Sequence, residues 1–362
     1  MDVAGRLPRL RRAMSEAGLE GLVVTNLTNI RYLTGFTGSA ALLLVTDEGC
    51  VFTTDGRYLT QSQQQLAEAG VGAQPAVGRL ELQQQAIVNG AAGLEHIGLE
   101  AGNVTWAQQR EFDTEWFPAA ELVATEDLVE DLRLVKDAGE LARIEAAAAI
   151  ADEALAGVLP MLRDGPTESE FGLALDFAMR RLGASDVSFE TIVAAGPNGA
   201  KPHARPSPRA ISDGELIVLD FGALVDGYHS DMTRTVCVGE PRDPVLGRMV
   251  EAVIASQAAG VAAVKAGVVA SDVDKACRDV LRGYGWEEAF LHGTGHGVGL
   301  DIHEAPSVSS VSVATLAPGH VLTVEPGVYL PDHGGVRIED TVVVTDTGCL
   351  PLTHAPKDLI VA

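Results

Sequence analysis

The stretch Leu216-Ile-Val-Leu-Asp220-Phe-Gly222-Ala-Leu-Val-Asp226-Gly227-Tyr-His-Ser-Asp231-Met-Thr-Arg-Thr235 places an acid near the end of an apolar run, then a turn, then a second acid. Asp-Gly between extended segments is the strongest short hairpin signal, because both central residues of a type I′ turn need positive φ. With Asp226 and Gly227 as the loop, Val225 faces Tyr228, and the ladder carries Asp231 opposite Gly222, two residues from Asp220. The two carboxylates then share one face as diagonal neighbours, about 7–8 Å apart at Cα. Their oxygens can converge on metal ions about 3.5–4 Å apart, with Gly222 leaving the space. A charge at the edge of an apolar strand is costly unless neutralised, so this carboxylate calls for a cation.

The same arithmetic applies to Glu325 and Glu339. Taking Pro331 to Gly335 as a five-residue loop, Leu330 faces Val336 and Glu339 faces Gly327, which gives a second diagonal acid pair. Between the two hairpins lies His292-Gly-Thr-Gly-His296-Gly-Val-Gly-Leu-Asp-Ile-His303-Glu, with three imidazoles and four glycines. Neutral imidazole is the commonest nitrogen ligand of catalytic metals, and glycine lets backbone approach a ligand closely. Four carboxylates with a histidine suit hard or borderline divalent ions such as Mn²⁺, Co²⁺ or Zn²⁺. A two-metal site acidifies a bridging water to hydroxide and polarises a carbonyl, the combination that hydrolysis of an unactivated amide needs. No G-x-S-x-G elbow, activated-cysteine motif or P-loop offers a rival nucleophile.

Outward from these segments, the chain reads as an α/β (α+β) protein with two domains, the natural expectation at 362 residues. Residues 1–124 alternate element types: a basic helix to about Gly18, strands at 21–25, 40–46 and 50–55, a loop over 26–39, and a helix over 56–69. Residues 125–135 form a linker. Over 136–362 the order is helix, helix, strands, then helix, helix, strands. The helices fall near 136–159, 168–182 with Thr167 as N-cap, 245–266 and 269–284, an order that suggests internal duplication. The formal charge of −24 opposes nucleic acid and anionic membranes, and no run approaches eighteen apolar residues. Cys50, Cys237, Cys277 and Cys349 are far apart with no C-x-x-C pair, which fits reduced thiols and a cytoplasmic setting.

These residues resemble the pita-bread metallopeptidase family, which includes methionine aminopeptidase, aminopeptidase P, prolidase and creatinase. Asp220 in LDFGA, Asp231 in SDMTRT, His296 in HGTGHGVGLDIHE, Glu325 in TVEPGVY and Glu339 in GVRIED match its five metal ligands in order. The resemblance implies two divalent ions, Mn²⁺ favoured over Co²⁺ or Zn²⁺. Asp220 would be terminal on one ion, His296 and Glu325 would bind the other, and Asp231 and Glu339 would bridge. His203, His292, His303 and Arg337 match the set that binds substrate carbonyls and stabilises the tetrahedral intermediate in Xaa-Pro-cleaving members, where Glu325 also handles the water proton. Arg31-Tyr-Leu-Thr-Gly-Phe and Thr54-Asp-Gly-Arg-Tyr look like segments of a creatinase-like N-terminal domain.

The expected activity is that of an Xaa-Pro aminopeptidase on proline-containing peptides, with Xaa-Pro dipeptidase as the alternative and a non-catalytic pita-bread binding module as a remote one. A dipeptidase needs a group for the proline carboxylate, which Arg337, or Arg31 from a neighbouring subunit, could supply. The resemblance implies a homodimer or higher homo-oligomer. Tyr329 is open between core and active-site network, and His229, His320 and His333 have no assigned role.

Overall fold

Three runs that read as strands from their apolar composition, Gly21–Val24, Ala41–Thr46 and Cys50–Thr54, lie side by side and antiparallel. Strands His96–Glu100 and Glu121–Thr125 extend the sheet in parallel beyond Gly21–Val24, and Ala76–Val77 adds the sixth strand at the other edge. The computed structural model describes residues 1–357 and 359–361, and this sheet belongs to the first of two compact units, Met1–Arg133 and Leu134–Ala362.

The segment expected as a loop over 26–39 instead contains the helix Leu27–Thr34. The Asn26 side chain accepts from Thr28 N at one end, and Gly35 closes the other at φ 74°. Buried Ile30, Tyr32 and Leu33 draw the segment into the core, so apolar packing overrides its polar composition. The helix Leu80–Gly90 and the strand Glu121–Thr125 are further elements beyond those expected from the sequence.

In the second unit the helix pairs are Ala138–Val158 with Glu168–Arg181 and Pro244–Ala263 with Ala270–Tyr284. Asp137 and Glu140 cap the first helix reciprocally, as Thr167 and Glu170 cap the second. Each pair has its own core. The first packs on Ile192–Ala195, Leu216–Phe221 and Met232–Val238, and the second on Val321–Val324 and Asp340–Val344. Pro244–Ala263 is long and apolar enough by composition to cross a membrane. Its Leu246, Met249, Ala252 and Val253 nevertheless lie in the protein core, and Gln257 bonds to buried Asp340.

The first hairpin has the register expected of it. Val225 pairs with Tyr228, and Met232 opposite Phe221 continues the ladder with Asp231 across from Gly222. Gly222 serves close backbone approach rather than open space, since a Cβ there would run into the Ser230 carbonyl. The second hairpin is shifted by two residues from expectation: Leu330 pairs with Gly334 and Gly327 with Arg337, leaving the loop Pro331-Asp332-His333. Gly334 makes this possible at φ 113°, and Gly335 lies against Gly199 where any side chain would strike the Gly199 carbonyl. Both glycines are therefore strand residues. The same register runs on through Val324 opposite Asp340, so Glu325 and Glu339 stand directly across from one another rather than diagonally.

Candidate active site

The four strand acids and the histidines line one cavity of about 650 Å³ within the second unit. Asp220 and Asp231 come from the first hairpin, Glu325 and Glu339 from the second, and His296 from the short strand Gly295–Gly297 between them. A donor atom from each of Asp231, His296 and Glu339 lies within 4.8 Å of the others. His296 Nε2 is 3.5 Å from Asp231 Oδ2 and 3.4 Å from Glu325 Oε1.

His296 Nδ1 lies 3.0 Å from the Gly297 carbonyl, so that nitrogen donates and Nε2 turns its lone pair toward the carboxylates. Burial lowers this imidazole to about 4, which keeps it neutral. A lone pair facing two carboxylates is repulsive unless a cation lies between them. Asp220 Oδ1 and Glu339 Oε1, both buried, have no hydrogen-bond partner among the described residues. Burial, with Glu339 the largest charge neighbour, pushes Asp231 well above the usual carboxylate range; burial and Glu325 do the same to Glu339. Glu325 is pushed up by burial to about 8. Orphaned oxygens, a bare nitrogen lone pair and mutually repelling buried acids together fit divalent cations.

A pH consequence follows for the metal-free protein. Glu325, raised to about 8 in the folded state, holds a proton that the unfolded chain releases near the ordinary value of 4.5, so its stabilisation is present below that pH and lost as pH rises through about 8. Adding Mn²⁺ to chelator-treated protein at pH 7 in weak buffer should release protons. A constant pH on saturation would contradict protonated acids at the metal-free site.

Around the acids runs a hydrogen-bonded chain. Buried Arg337 donates to Asp220 Oδ2 (2.5 Å), to Tyr329 Oη (2.8 Å), to Thr233 Oγ1 (3.1 Å) and to the Pro202 carbonyl (3.3 Å). Tyr329 in turn bonds His292 Nε2 at 2.8 Å, while His292 Nδ1 meets the Gly293 carbonyl at 2.8 Å. Burial, then the Arg337 charge, lowers His292 to about 4. Tyr329, open between two readings in the sequence, is thus part of this network. Both nitrogens of His292 are engaged within the protein. His303 stands edge-on to His296 with ring centres 4.3 Å apart, and His203 also lines the cavity.

Sequence reasoning did not single out the residues that hold these loops. Arg278 donates to the Phe290 and His292 carbonyls and pairs with Asp274, which also accepts from Thr294 Oγ1. The Thr294 carbonyl accepts from Glu325 N at 2.8 Å. Arg278 and Asp274 are an ordinary i, i+4 helix pair in the sequence, and only their tertiary partners distinguish them.

Comparison with known proteins agrees with this geometry. Residues 142–346 match metallopeptidase family M24, and residues 6–135 match the creatinase/prolidase N-terminal domain. The chain is 40% identical to an uncharacterized peptidase of Bacillus subtilis, YqhT, over 98% of this chain and 99% of that one. A solved Xaa-Pro dipeptidase from Bacillus anthracis is 39% identical, with 99% of each chain covered and a TM-score of 0.94. The X-Pro aminopeptidase from Thermotoga maritima is 32% identical, covering 96% and 99%, with a TM-score of 0.88. Fold and site together define a metallopeptidase of pita-bread architecture, preceded in the sequence by a creatinase-type N-terminal unit. The chain belongs to metallopeptidase family M24.

Proposed function

We propose that this protein is a dinuclear metal-dependent Xaa-Pro aminopeptidase that hydrolyses the bond between an N-terminal residue and a penultimate proline. Asp220, Asp231, His296, Glu325 and Glu339 would hold two divalent ions, Mn²⁺ favoured. Such ions acidify a water and polarise the scissile carbonyl. Glu325, raised to about 8 without metal, is the carboxylate placed to take and return the water proton. His203 and His303 both line the cavity and donate to substrate carbonyls. His292 acts through Tyr329, which it holds against Arg337. The tertiary amide before proline has no N–H, so recognition falls on its carbonyl, which histidine donors suit.

The commitment of Arg337 supports aminopeptidase over dipeptidase. A dipeptide brings a free proline carboxylate into the cavity. Among the described lining residues the permanent cations are Arg337, spent on Asp220 and Tyr329, and Arg205, paired with Glu190 in the solvent. A peptide that continues past proline places a neutral amide there instead. The dipeptidase reading draws on the printed name of the Bacillus anthracis relative and would require Arg205 to leave Glu190. With Mn²⁺ supplied, kcat/KM for Xaa-Pro-Yaa should exceed that for Xaa-Pro by about tenfold or more, the scale of one unmatched buried charge. Cleavage of the dipeptide alone would overturn the aminopeptidase assignment. The four free cysteines accord with a reducing, cytoplasmic setting.

A further inference from the structure

His203 is exposed, and among the described residues its ring makes no hydrogen bond. Its aim therefore depends on the backbone of the segment between Ala195 and Ser207, and that segment closes around a single carboxylate. Glu168, fully buried at the start of the helix Glu168–Arg181, accepts at Oε1 from Ala195 N (2.8 Å) and Asn198 Nδ2 (3.1 Å). At Oε2 it accepts from Asn198 Nδ2 (3.0 Å), Ser207 N (3.1 Å) and Ser207 Oγ (2.5 Å). Ala195 and Ser207 are the two ends of the segment, and Asn198 is its first turn.

Helix capping does not account for Glu168, because Thr167 and Glu170 already form the capping box. Nor does a direct ion pair: its hydrogen-bond donors are all neutral, and Arg209, which feels its charge, bonds Glu215 instead. A buried carboxylate is costly unless fully hydrogen-bonded, so its five donor contacts define one loop shape closely. The far side of the loop is held by Gly199 against Gly335 and by Arg337 on the Pro202 carbonyl.

We infer that Glu168 is a positioning residue of the active site: its carboxylate ties both ends of the 195–207 loop into one shape and so aims His203 into the cavity. The inference rests on the proposed role of His203 as donor to a substrate carbonyl. Glu168→Gln keeps the volume but turns an amide N–H₂ on one set of donors, which slackens one end of the loop.

The test measures kcat/KM on an Xaa-Pro-Yaa peptide for the Mn²⁺-loaded parent, Glu168→Gln, His203→Ala and the double variant, together with metal content and thermal unfolding. Glu168→Gln should lower kcat/KM by about 10- to 100-fold with metal content unchanged, the cost of a misplaced catalytic group. In the His203→Ala background the same change should alter it by less than about twofold, because effects through one group do not add. Equal losses in both backgrounds, or lost metal, would overturn the inference. A His203→Ala enzyme as active as the parent would instead remove the role of His203 itself. Should Glu168→Gln fail to fold, Asn198→Ala withdraws the loop's own donor from both oxygens and should show the same non-additivity with His203→Ala; additivity there overturns the inference equally.

Discussion

Asp231→Ala is expected to lose both its metal and its activity, with kcat/KM falling by about 10³-fold or more, or about 4 kcal/mol of transition-state stabilisation. Asp231 faces His296 Nε2 at 3.5 Å and has a donor atom within 4.8 Å of one from Glu339, so its removal takes away the carboxylate that joins the two. The more discriminating result concerns the metal-free protein. There Asp231 is a buried acid pressed against Glu339, Asp220 and Glu325, and the fold bears that repulsion for the sake of the site. Asp231→Asn, which keeps the volume, should therefore make the chelated protein more stable by about 1 kcal/mol or more, a rise of about 2–4 °C in Tm per kcal/mol. The parent should gain stability from Mn²⁺ and the variant should not. Retained hydrolysis in Asp231→Ala, or a lower Tm in chelated Asp231→Asn, would contradict a centre built by crowding acids around cations.

How far the sequence shows this centre depends on where each signal lies. The first hairpin is legible because Asp226-Gly227 allows one turn and one register, and counting from it puts Asp231 across from Gly222. The second is two residues off because Pro331 to Gly335 contains two adjacent glycines, and sequence alone does not say which belong to the loop. The close packing of Gly335 on Gly199, far away in the chain, decides it. The helix Leu27–Thr34 has local signals in Asn26 and Gly35, but polar residues between them read as loop. Glu168 and Arg278 look like ordinary helix-surface charges. Their meaning comes from carbonyl, amide and hydroxyl partners on other loops, which no periodicity encodes.

Arg234 is the extreme case of such a residue, and its replacement carries the largest expected loss of stability. The two halves of the catalytic unit have separate cores, and the strands bearing Asp231 and Glu339 meet between them. Thr233 and Glu339 bond across this seam, as do Thr341 and the Asp231 carbonyl. The fully buried Arg234 guanidinium gathers the rest. It donates to the carbonyls of Thr233, Glu339, Ala355 and Pro356 and to Asp340 Oδ1 at 2.8 Å. Arg234→Met keeps much of the apolar bulk but leaves these acceptors buried with fewer donors. Asp340 retains Lys357, Gln257 and Thr353, so the protein should still fold, less stable by about 3 kcal/mol or more. For a unit of this size the fall in Tm is roughly 10 °C. Because the Glu339 carbonyl is among the acceptors released, the loss should extend to the site. Mn²⁺ affinity should drop by about 10- to 100-fold, as when a group supporting a metal ligand is removed. Arg234→Lys, with a point charge that can meet Asp340 but cannot span the carbonyls, should fall between parent and Met variant in both measurements. A Met variant that melts within about 2 °C of the parent would show that the halves are held by their strands alone. A variant that melts early yet binds Mn²⁺ as tightly as the parent would show that the acids keep their geometry independently of the seam.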